Sequence, residues 1–97
     1  VVFGAGGVMV ELLVDRVVAS APLHPTDVAA ALDALPIGHL LSGYRGKTLD
    51  RAGVIDAIVR VSWLAHDLRD ANFELDINPL MVARERCFAV DARIQIL

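Results

Sequence analysis

The sequence predicts an α+β fold in which a mostly antiparallel sheet packs against helices. Strand-like segments lie near both ends of the 97-residue chain, and segments with helical periodicity lie between them. The two C-terminal segments alternate apolar and polar residues with period two, which is typical of half-buried strands. Because a chain of this length supports one hydrophobic core, we expect a single structural unit over residues 1–97.

The N-terminal half is predicted to contain a strand followed by a helix. Val8–Val14 is apolar around one charge, which predicts a strand buried on at least one side. Thr26 is expected to cap the helix that follows, and Pro36 together with Gly38 predicts where that helix ends. The buried face of this helix comprises three residues: Val28, Leu32 and Leu35.

A longer central helix is predicted over about Arg51–Leu68. Asp50 precedes it as a suitable N-cap, because its carboxylate can accept a hydrogen bond from the free N–H groups of the first turn. Apolar residues recur at spacings of four and three along the helix and form one core-facing stripe. The stripe comprises Val54, Ile58, Val61, Ala65 and Leu68.

The two C-terminal strands predict the register of the hairpin that joins them. Phe73–Asn78 and Phe88–Ile96 both alternate, and a two-residue turn at Arg84–Glu85 places their apolar residues on one face. On that core face the turn pairs Phe73 with Ile96, Leu75 with Ile94, and Ile77 with Ala92. On the other face it pairs Glu74 with Gln95, Asp76 with Arg93, and Asn78 with Asp91. Pro79 favours a bulge and the turn lacks the usual Gly or Asn, so a register shifted by two residues, with the same faces, stays open.

Composition excludes several classes of function. The chain has 12 acidic and 9 basic residues, whereas nucleic-acid-binding domains normally carry a basic face. Its longest stretch without a charged residue, residues 34–44, is shorter than the ~20 residues that span a membrane. With a single cysteine and no visible signal peptide, we expect a cytoplasmic protein without nucleic-acid or membrane partners. Because both ends of the chain are apolar, we also expect a piece of a longer polypeptide.

The polar face of the predicted hairpin carries a candidate magnesium site. Asn78 and Asp91 are predicted neighbours there, with Glu74 and Asp76 on the same face. Carboxylate and amide oxygens suit Mg²⁺, which commonly bridges protein carboxylates to substrate phosphates. The alternative is a merely solvated face on which Asp76 pairs with Arg93.

Four segments, taken in chain order, resemble one protein family. They are Phe3–Asp15, Gly43–Gly46, Glu74–Leu80 and Val90–Arg93, and together they extend the resemblance over essentially all 97 residues. The family is the ATP-grasp domain of the NDP-forming acyl-CoA synthetases, which are relatives of the succinyl-CoA synthetase β subunit. The resemblance implies that the chain is the C-terminal portion of an ATP-grasp domain, with the α+β fold of its C-terminal subdomain.

The resemblance also implies cofactors and site residues. Family members bind Mg²⁺ and ATP or ADP and interconvert acyl-CoA and free acid, so the parent protein is expected to be an acid–thiol ligase. The family's two magnesium ligands map onto Asn78 and Asp91, and a neighbouring acidic position maps onto Asp76. Three further residues are assigned to nucleotide binding: Gly6, Gly7 and Glu11. The resemblance assigns no catalytic residue within the chain.

The implied partners are ATP, and acyl-CoA or CoA, bound through the full-length protein. An N-terminal ATP-grasp lobe and CoA-binding domains would lie outside the 97 residues, so we expect the chain alone to be inactive. Apolar surface exposed without them favours a homodimer. Two alternatives remain: an ATP-grasp-like module of a regulatory protein acetyltransferase, and a non-catalytic interaction domain.

Overall fold

A computed structural model describes residues 1–5, 16–43, 46 and 48–97 of the chain. The strand predicted over Val8–Val14 lies outside these residues. In chain order the described elements are β1 (Val2–Gly4), β2 (Arg16–Val18), α1 (Pro25–Ala34), α2 (Pro36–Leu41), α3 (Arg51–Asp67), β3 (Phe73–Ile77), β4 (Leu80–Val82), β5 (Cys87–Ala89) and β6 (Ala92–Ile96). The predicted mixture of helices and strands is confirmed.

The described strands pair in three antiparallel couples, which are β1 with β2, β3 with β6, and β4 with β5. The antiparallel pairing was expected, but the strands form separate two-stranded sheets rather than one sheet. The first couple continues to Val1 and Ala19, whose backbone N–H and carbonyl groups form two hydrogen bonds of 2.8 Å. None of the helices in the described part of the chain is long and apolar enough to span a membrane.

Helix α1 begins two residues earlier than expected, at Pro25, since a cap at Thr26 would make Asp27 the first helical residue. The expected Thr26 cap is wrong: His24 is the N-cap, and its Nδ1 accepts a hydrogen bond from the Thr26 N–H at 3.1 Å. Proline suits the first helical position because the N–H that it lacks has no partner within the helix. Pro36 likewise occupies the first position of α2, directly after Leu35, which is the C-cap of α1.

Helix α2 turns closely back on α1 at a glycine. Gly38 is buried, and a methyl group at this position would overlap the carbonyl oxygen of Leu32. The absence of a side chain therefore allows the backbone of α2 to approach the end of α1.

Helix α3 begins as predicted. The Asp50 carboxylate accepts a hydrogen bond from the Gly53 N–H at 2.9 Å. The Asp50 N–H donates to the carbonyl of Ala83 at 2.8 Å, so the start of α3 is also tied to the C-terminal hairpin. The helix ends at Asp67, one residue before the predicted end.

The hydrophobic core lies between the three helices. Its buried members are Val28, Leu32, Leu41, Val54 and Ile58, and partly buried side chains from β1 and β4 pack against it. The predicted face of α1 is fully buried, including Leu35. The stripe of α3 is buried only over its first half, because Val61, Ala65 and Leu68 are half-buried.

One buried polar side chain connects α3 to the segment before α1. Ser62 is 0% exposed, and its hydroxyl accepts a hydrogen bond from the Leu23 N–H at 2.9 Å. The same hydroxyl donates to the carbonyl of Val59 at 2.6 Å. Both hydrogen-bonding roles of the hydroxyl are therefore satisfied inside the protein.

The C-terminal hairpin has the predicted register. Phe73 lies opposite Ile96, and the pairing continues without a shift to Ile77 opposite Ala92. Beyond Pro79 the couple of β4 and β5 keeps the same register, from Leu80 opposite Ala89 to Val82 opposite Cys87. The Ala83 N–H donates to the carbonyl of Arg86 at 2.8 Å and closes the turn at Arg84–Glu85. The alternative register, shifted by two residues, is therefore wrong.

The inward face of the hairpin changes at Asn78–Pro79, which is a cis peptide bond. The half-buried residues are Phe73, Leu75 and Ile77 in β3 but Leu80 and Val82 in β4. The Asn78 N–H donates to the Asp91 carbonyl and the Val90 N–H donates to the Pro79 carbonyl, each at 3.1 Å. In a regular antiparallel ladder, hydrogen-bonded and non-hydrogen-bonded residue pairs alternate. Here two successive pairs are hydrogen-bonded, so from Pro79 onward the residues that face inward are shifted by one position along the strand.

The predicted core face is wrong for β6. All five of its residues are exposed, with Ile94 at 54% and Ile96 at 70%. Among the described strands β6 is paired only with β3. Its apolar side chains share a face with the half-buried side chains of β3 but are themselves exposed.

Candidate functional site

The outer surface of the β3–β6 couple carries a row of polar side chains, which we call the polar face. All of its members are exposed: Glu74, Asp76, Asn78, Asp91, Arg93 and Gln95. Residues two apart on one strand point to the same side, and the observed register sets Glu74 opposite Gln95 and Asp76 opposite Arg93. The polar face is thus a continuous surface built on a regular backbone ladder.

Asn78 and Asp91 are neighbours at the end of this ladder, as predicted. The Asn78 N–H donates to the Asp91 carbonyl at 3.1 Å. In a hydrogen-bonded antiparallel pair the two Cα atoms lie about 5.5 Å apart, so the two side chains start from adjacent points. Both residues lie just outside the regular strands, at the point where the pleat of the hairpin shifts.

Asp76 is not neutralised by the arginine that faces it. The ion pairs among the described residues are Arg51 with Asp33, at 2.9 Å, and Arg60 with Asp56, at 2.8 Å. Arg93 instead places its Nη2 3.4 Å from the Gln95 Oε1. The interpretation in which Asp76 only pairs with Arg93 is therefore not supported.

The donor set of the polar face suits a hard cation that also binds a substrate. Its end offers the amide oxygen of Asn78 and the carboxylates of Asp91 and Asp76, all accessible to solvent. Within the described ranges, no group of three or more His, Cys, Asp or Glu side chains could hold a metal ion by itself. Mg²⁺ typically takes one or two protein carboxylates and completes its octahedron with phosphate oxygens and water. The residues present fit Mg²⁺ in that mode.

The three residues assigned to nucleotide binding, Gly6, Gly7 and Glu11, lie outside the described residues. The structure therefore brings together the predicted metal ligands but does not describe how the glycine-rich segment faces them.

An open groove lies away from the polar face, between α3 and the β4–β5 couple. Its volume is about 450 Å³, and its lining includes Asp50, Asp56 and the half-buried Cys87. Burial raises the pKa of the Cys87 thiol, and the carboxylates of Asp50 and Asp56 raise it further. A thiol with a raised pKa is more fully protonated near neutral pH and is therefore a poorer nucleophile.

The predicted alternative pairs Arg93 with Asp76, and the family resemblance includes Arg93 in the segment Val90–Arg93 without giving it a role. The structure instead leaves its guanidinium exposed on the polar face. The spacing in the sequence could have indicated that Arg93 lies on the polar face, because a residue two positions after Asp91 on one strand shares the face of Asp91.

Comparison with known proteins identifies the family. Residues 1–96 match the ATP-grasp domain family, and the chain belongs to this family. The fold class and the resemblance inferred from the sequence motifs are both confirmed.

The curated relatives are ADP-forming CoA ligases. The chain is 35% identical over 97 residues to the acetate–CoA ligase [ADP-forming] II subunit beta of Pyrococcus furiosus, and the match covers 97% of the chain and 41% of that subunit. It is 32% identical over 97 residues to the 4-hydroxybutyrate–CoA ligase [ADP-forming] of Nitrosopumilus maritimus, covering 97% of the chain and 14% of that ligase. The chain thus spans about two fifths of the Pyrococcus subunit.

Solved structures show the same fold. A protein of Pyrococcus horikoshii superposes with a TM-score of 0.88 at 30% identity, over 99% of this chain and 41% of that protein. The dinucleotide forming acetyl-coenzyme A synthetase 1 of Ca. Korarchaeum cryptofilum superposes with a TM-score of 0.86 at 32% identity, over 99% of this chain and 45% of that one. The latter structure is a complex with coenzyme A and Mg-AMPPCP.

Proposed function

We propose that the chain is the C-terminal portion of the ATP-grasp domain of an ADP-forming acyl-CoA synthetase, an acid–thiol ligase. Its curated relatives are CoA ligases, and a structural relative binds coenzyme A and Mg-AMPPCP. ATP or ADP, Mg²⁺, and CoA or acyl-CoA are the ligands of the full-length protein. Because the chain spans about two fifths of the related Pyrococcus subunit, it is not expected to be catalytic alone.

The observation that carries the proposal is the pairing of Asn78 with Asp91 on an exposed sheet face. Asn78 and Asp91 would hold Mg²⁺, and Asp76 would add negative charge beside them. When bound, Mg²⁺ neutralises phosphate charge and orients the phosphoryl group for transfer. The backbone ladder of β3 and β6 fixes where the ligand side chains start, so the site is largely arranged before the nucleotide arrives.

The assignment of Gly6, Gly7 and Glu11 to the nucleotide site stays a prediction, as does the homodimer. Alanine substitution at Glu11 tests the first, through the affinity for Mg-ATP. Sedimentation of the full-length protein tests the second.

Calorimetric titration of the full-length protein with Mg-ADP and Mg-ATP tests the proposal. Asn78→Ala and Asp91→Asn should each weaken binding by at least roughly tenfold, because the first removes an oxygen ligand of the metal and the second removes a negative charge beside it. Asp70→Asn is the matched control, since Asp70 is an exposed aspartate outside the polar face. Unchanged binding and turnover in both site variants would contradict the metal assignment. A wild-type protein that bound neither Mg-nucleotide nor CoA would contradict the ligase proposal and favour a non-catalytic interaction domain.

A further inference from the structure

We propose that Arg93 is a positioning residue for the nucleotide, whose guanidinium contacts phosphate oxygens of the Mg²⁺–nucleotide complex on the polar face. The inference rests on the proposed function. It extends that function from the residues that hold the metal to a residue that holds the polyphosphate.

The position of Arg93 follows from the register. It lies directly opposite Asp76 and two residues along the chain from Asp91, so the three residues share the polar face. Two residues along a strand correspond to about 6.6 Å, which is within reach of a phosphate chain bound to the same metal ion. The bonded ladder of β6 fixes the backbone from which the long side chain extends.

Among the described residues, the guanidinium of Arg93 has one weak hydrogen-bond partner. Its Nη2 is 3.4 Å from the Gln95 Oε1, which is at the outer limit of a hydrogen bond. Other described arginines are held more closely: Arg51 binds both oxygens of Asp33, at 3.0 and 2.9 Å, and Arg69 donates to the His66 carbonyl at 2.9 Å. Within the part of the chain that the structure describes, most donors of Arg93 are therefore available to a ligand.

Charge balance indicates what that ligand is. The polar face carries three carboxylates, Glu74, Asp76 and Asp91, which favour the metal ion but repel a polyphosphate. A nucleoside di- or triphosphate retains net negative charge after binding one Mg²⁺. A guanidinium beside the carboxylates offsets this repulsion, and its planar fork matches two phosphate oxygens. Arg93 thus allows an acidic face to accept a metal–polyphosphate complex.

This role predicts effects of opposite sign on the two ligands. Arg93→Gln removes a positive charge near the metal ligands, so a divalent cation alone should bind roughly 2- to 5-fold more tightly at low salt. The same variant should bind Mg-ADP roughly 10- to 100-fold more weakly, because hydrogen bonds to charged phosphate are lost. A residue that only supported the fold of the hairpin would weaken both.

The test uses the full-length protein and two titrations, Mn²⁺ alone followed by electron paramagnetic resonance and Mg-ADP followed by calorimetry. Arg93→Lys should retain part of the nucleotide affinity, with a loss of roughly 3- to 10-fold, because it keeps the charge but not the fork. Arg60→Gln is the matched control, since Arg60 is an exposed arginine on α3 and should leave both affinities unchanged.

The outcomes separate this inference from the proposed function. If Arg93→Gln binds Mg-ADP as the wild type does, the role of Arg93 is wrong while the metal site stands. If the variant binds both Mn²⁺ and Mg-ADP more weakly, Arg93 supports the structure of the site and does not contact phosphate. If the wild-type protein binds no Mg-nucleotide, the proposed function fails, and the inference fails with it.

Discussion

The helical region and the C-terminal hairpin are stabilised in different ways. The three helices bury a common core in which Val28 is 1% and Leu32 is 3% exposed. In the hairpin, every residue of β6 is exposed, and the strand is held by its backbone pairing with β3. The comparison indicates that side-chain burial in the helices supplies most of the stability, while the hairpin offers surface to ligands.

The two regions meet at the turn end of the hairpin. There the Asp50 N–H donates to the Ala83 carbonyl at 2.8 Å, and Val82 packs against the core. Asn78 and Asp91 lie farther along, where the pleat shifts. The candidate ligands therefore start from an anchored backbone but project to solvent.

The largest expected effect is the loss of a core side chain in the helical region. Leu32→Ala should reduce the free energy of unfolding by about 2–5 kcal/mol, because it removes apolar contacts and leaves a cavity. Ile96→Ala in β6 is the comparison variant and should change stability by about 0.5 kcal/mol or less. Urea denaturation of the full-length protein measures both. Equal losses of unfolding free energy in the two variants would contradict the difference between the helical region and the hairpin. They would indicate that another part of the full-length protein covers β6.

The next largest effect concerns the buried hydrogen bonds of the helical region. Ser62→Ala should cost about 1–3 kcal/mol, because it leaves the Leu23 N–H without its acceptor. Ser42→Ala, at an exposed serine, should have almost no effect. If the two variants were equally stable in thermal unfolding, the link between α3 and the segment before α1 would contribute nothing.

The N-cap of α3 lies where the two regions meet, and its loss should have an intermediate effect on stability. Asp50→Ala should lower stability by about 1 kcal/mol through loss of the bond to the Gly53 N–H. Asp50→Asn should recover most of this loss, because its amide oxygen can also accept that bond. An asparagine variant as unstable as the alanine variant would show that the charge of Asp50 matters more than its hydrogen bond.

The smallest effect is electrostatic and lies in the groove between the regions. Burial, together with Asp50 and Asp56, raises the pKa of Cys87, so its alkylation at pH 8 should be slower than that of a free thiol. Asp56→Asn should lower that pKa and speed the alkylation, whereas Asp27→Asn, in the first turn of α1, should not, because Asp27 is not among the carboxylates that raise it. The stability linked to the raised pKa is present below the pKa of the unfolded thiol and is lost as pH rises through the folded value. A rate that does not change in Asp56→Asn would contradict the electrostatic effect.

Much of the fold could be predicted because local patterns determine it. The spacing of Val54 and Ile58 set the buried face of α3, and the two-residue turn with alternating strands set the register of the hairpin. The cap of α1 could not be predicted from residue preferences, because His24 is an unusual cap that outcompetes Thr26.

The remaining features of the fold and the site depend on interactions that the spacing of apolar and polar residues does not specify. Apolar alternation continues through Phe88 and Val90 into β6, so the sequence does not reveal that the pleat shifts at Asn78–Pro79. The adjacency of the candidate ligands could be predicted, since it needs only the register. An ion pair between Arg93 and Asp76 could not be predicted or excluded in this way, because its formation depends on side-chain conformation rather than on sequence position.

Paramagnetic broadening by Mn²⁺ in the nuclear magnetic resonance spectrum of the full-length protein tests the central claim most directly. In the presence of ADP, amide signals around Asn78 and Asp91 should broaden first, whereas those of α1 and its core residues should remain sharp. In Asp91→Asn the broadening should require a higher Mn²⁺ concentration, with the fold unchanged. Broadening centred on another part of the protein, with the signals of residues 76–78 and 91–93 unaffected, would contradict the assignment of the metal–nucleotide site to the polar face.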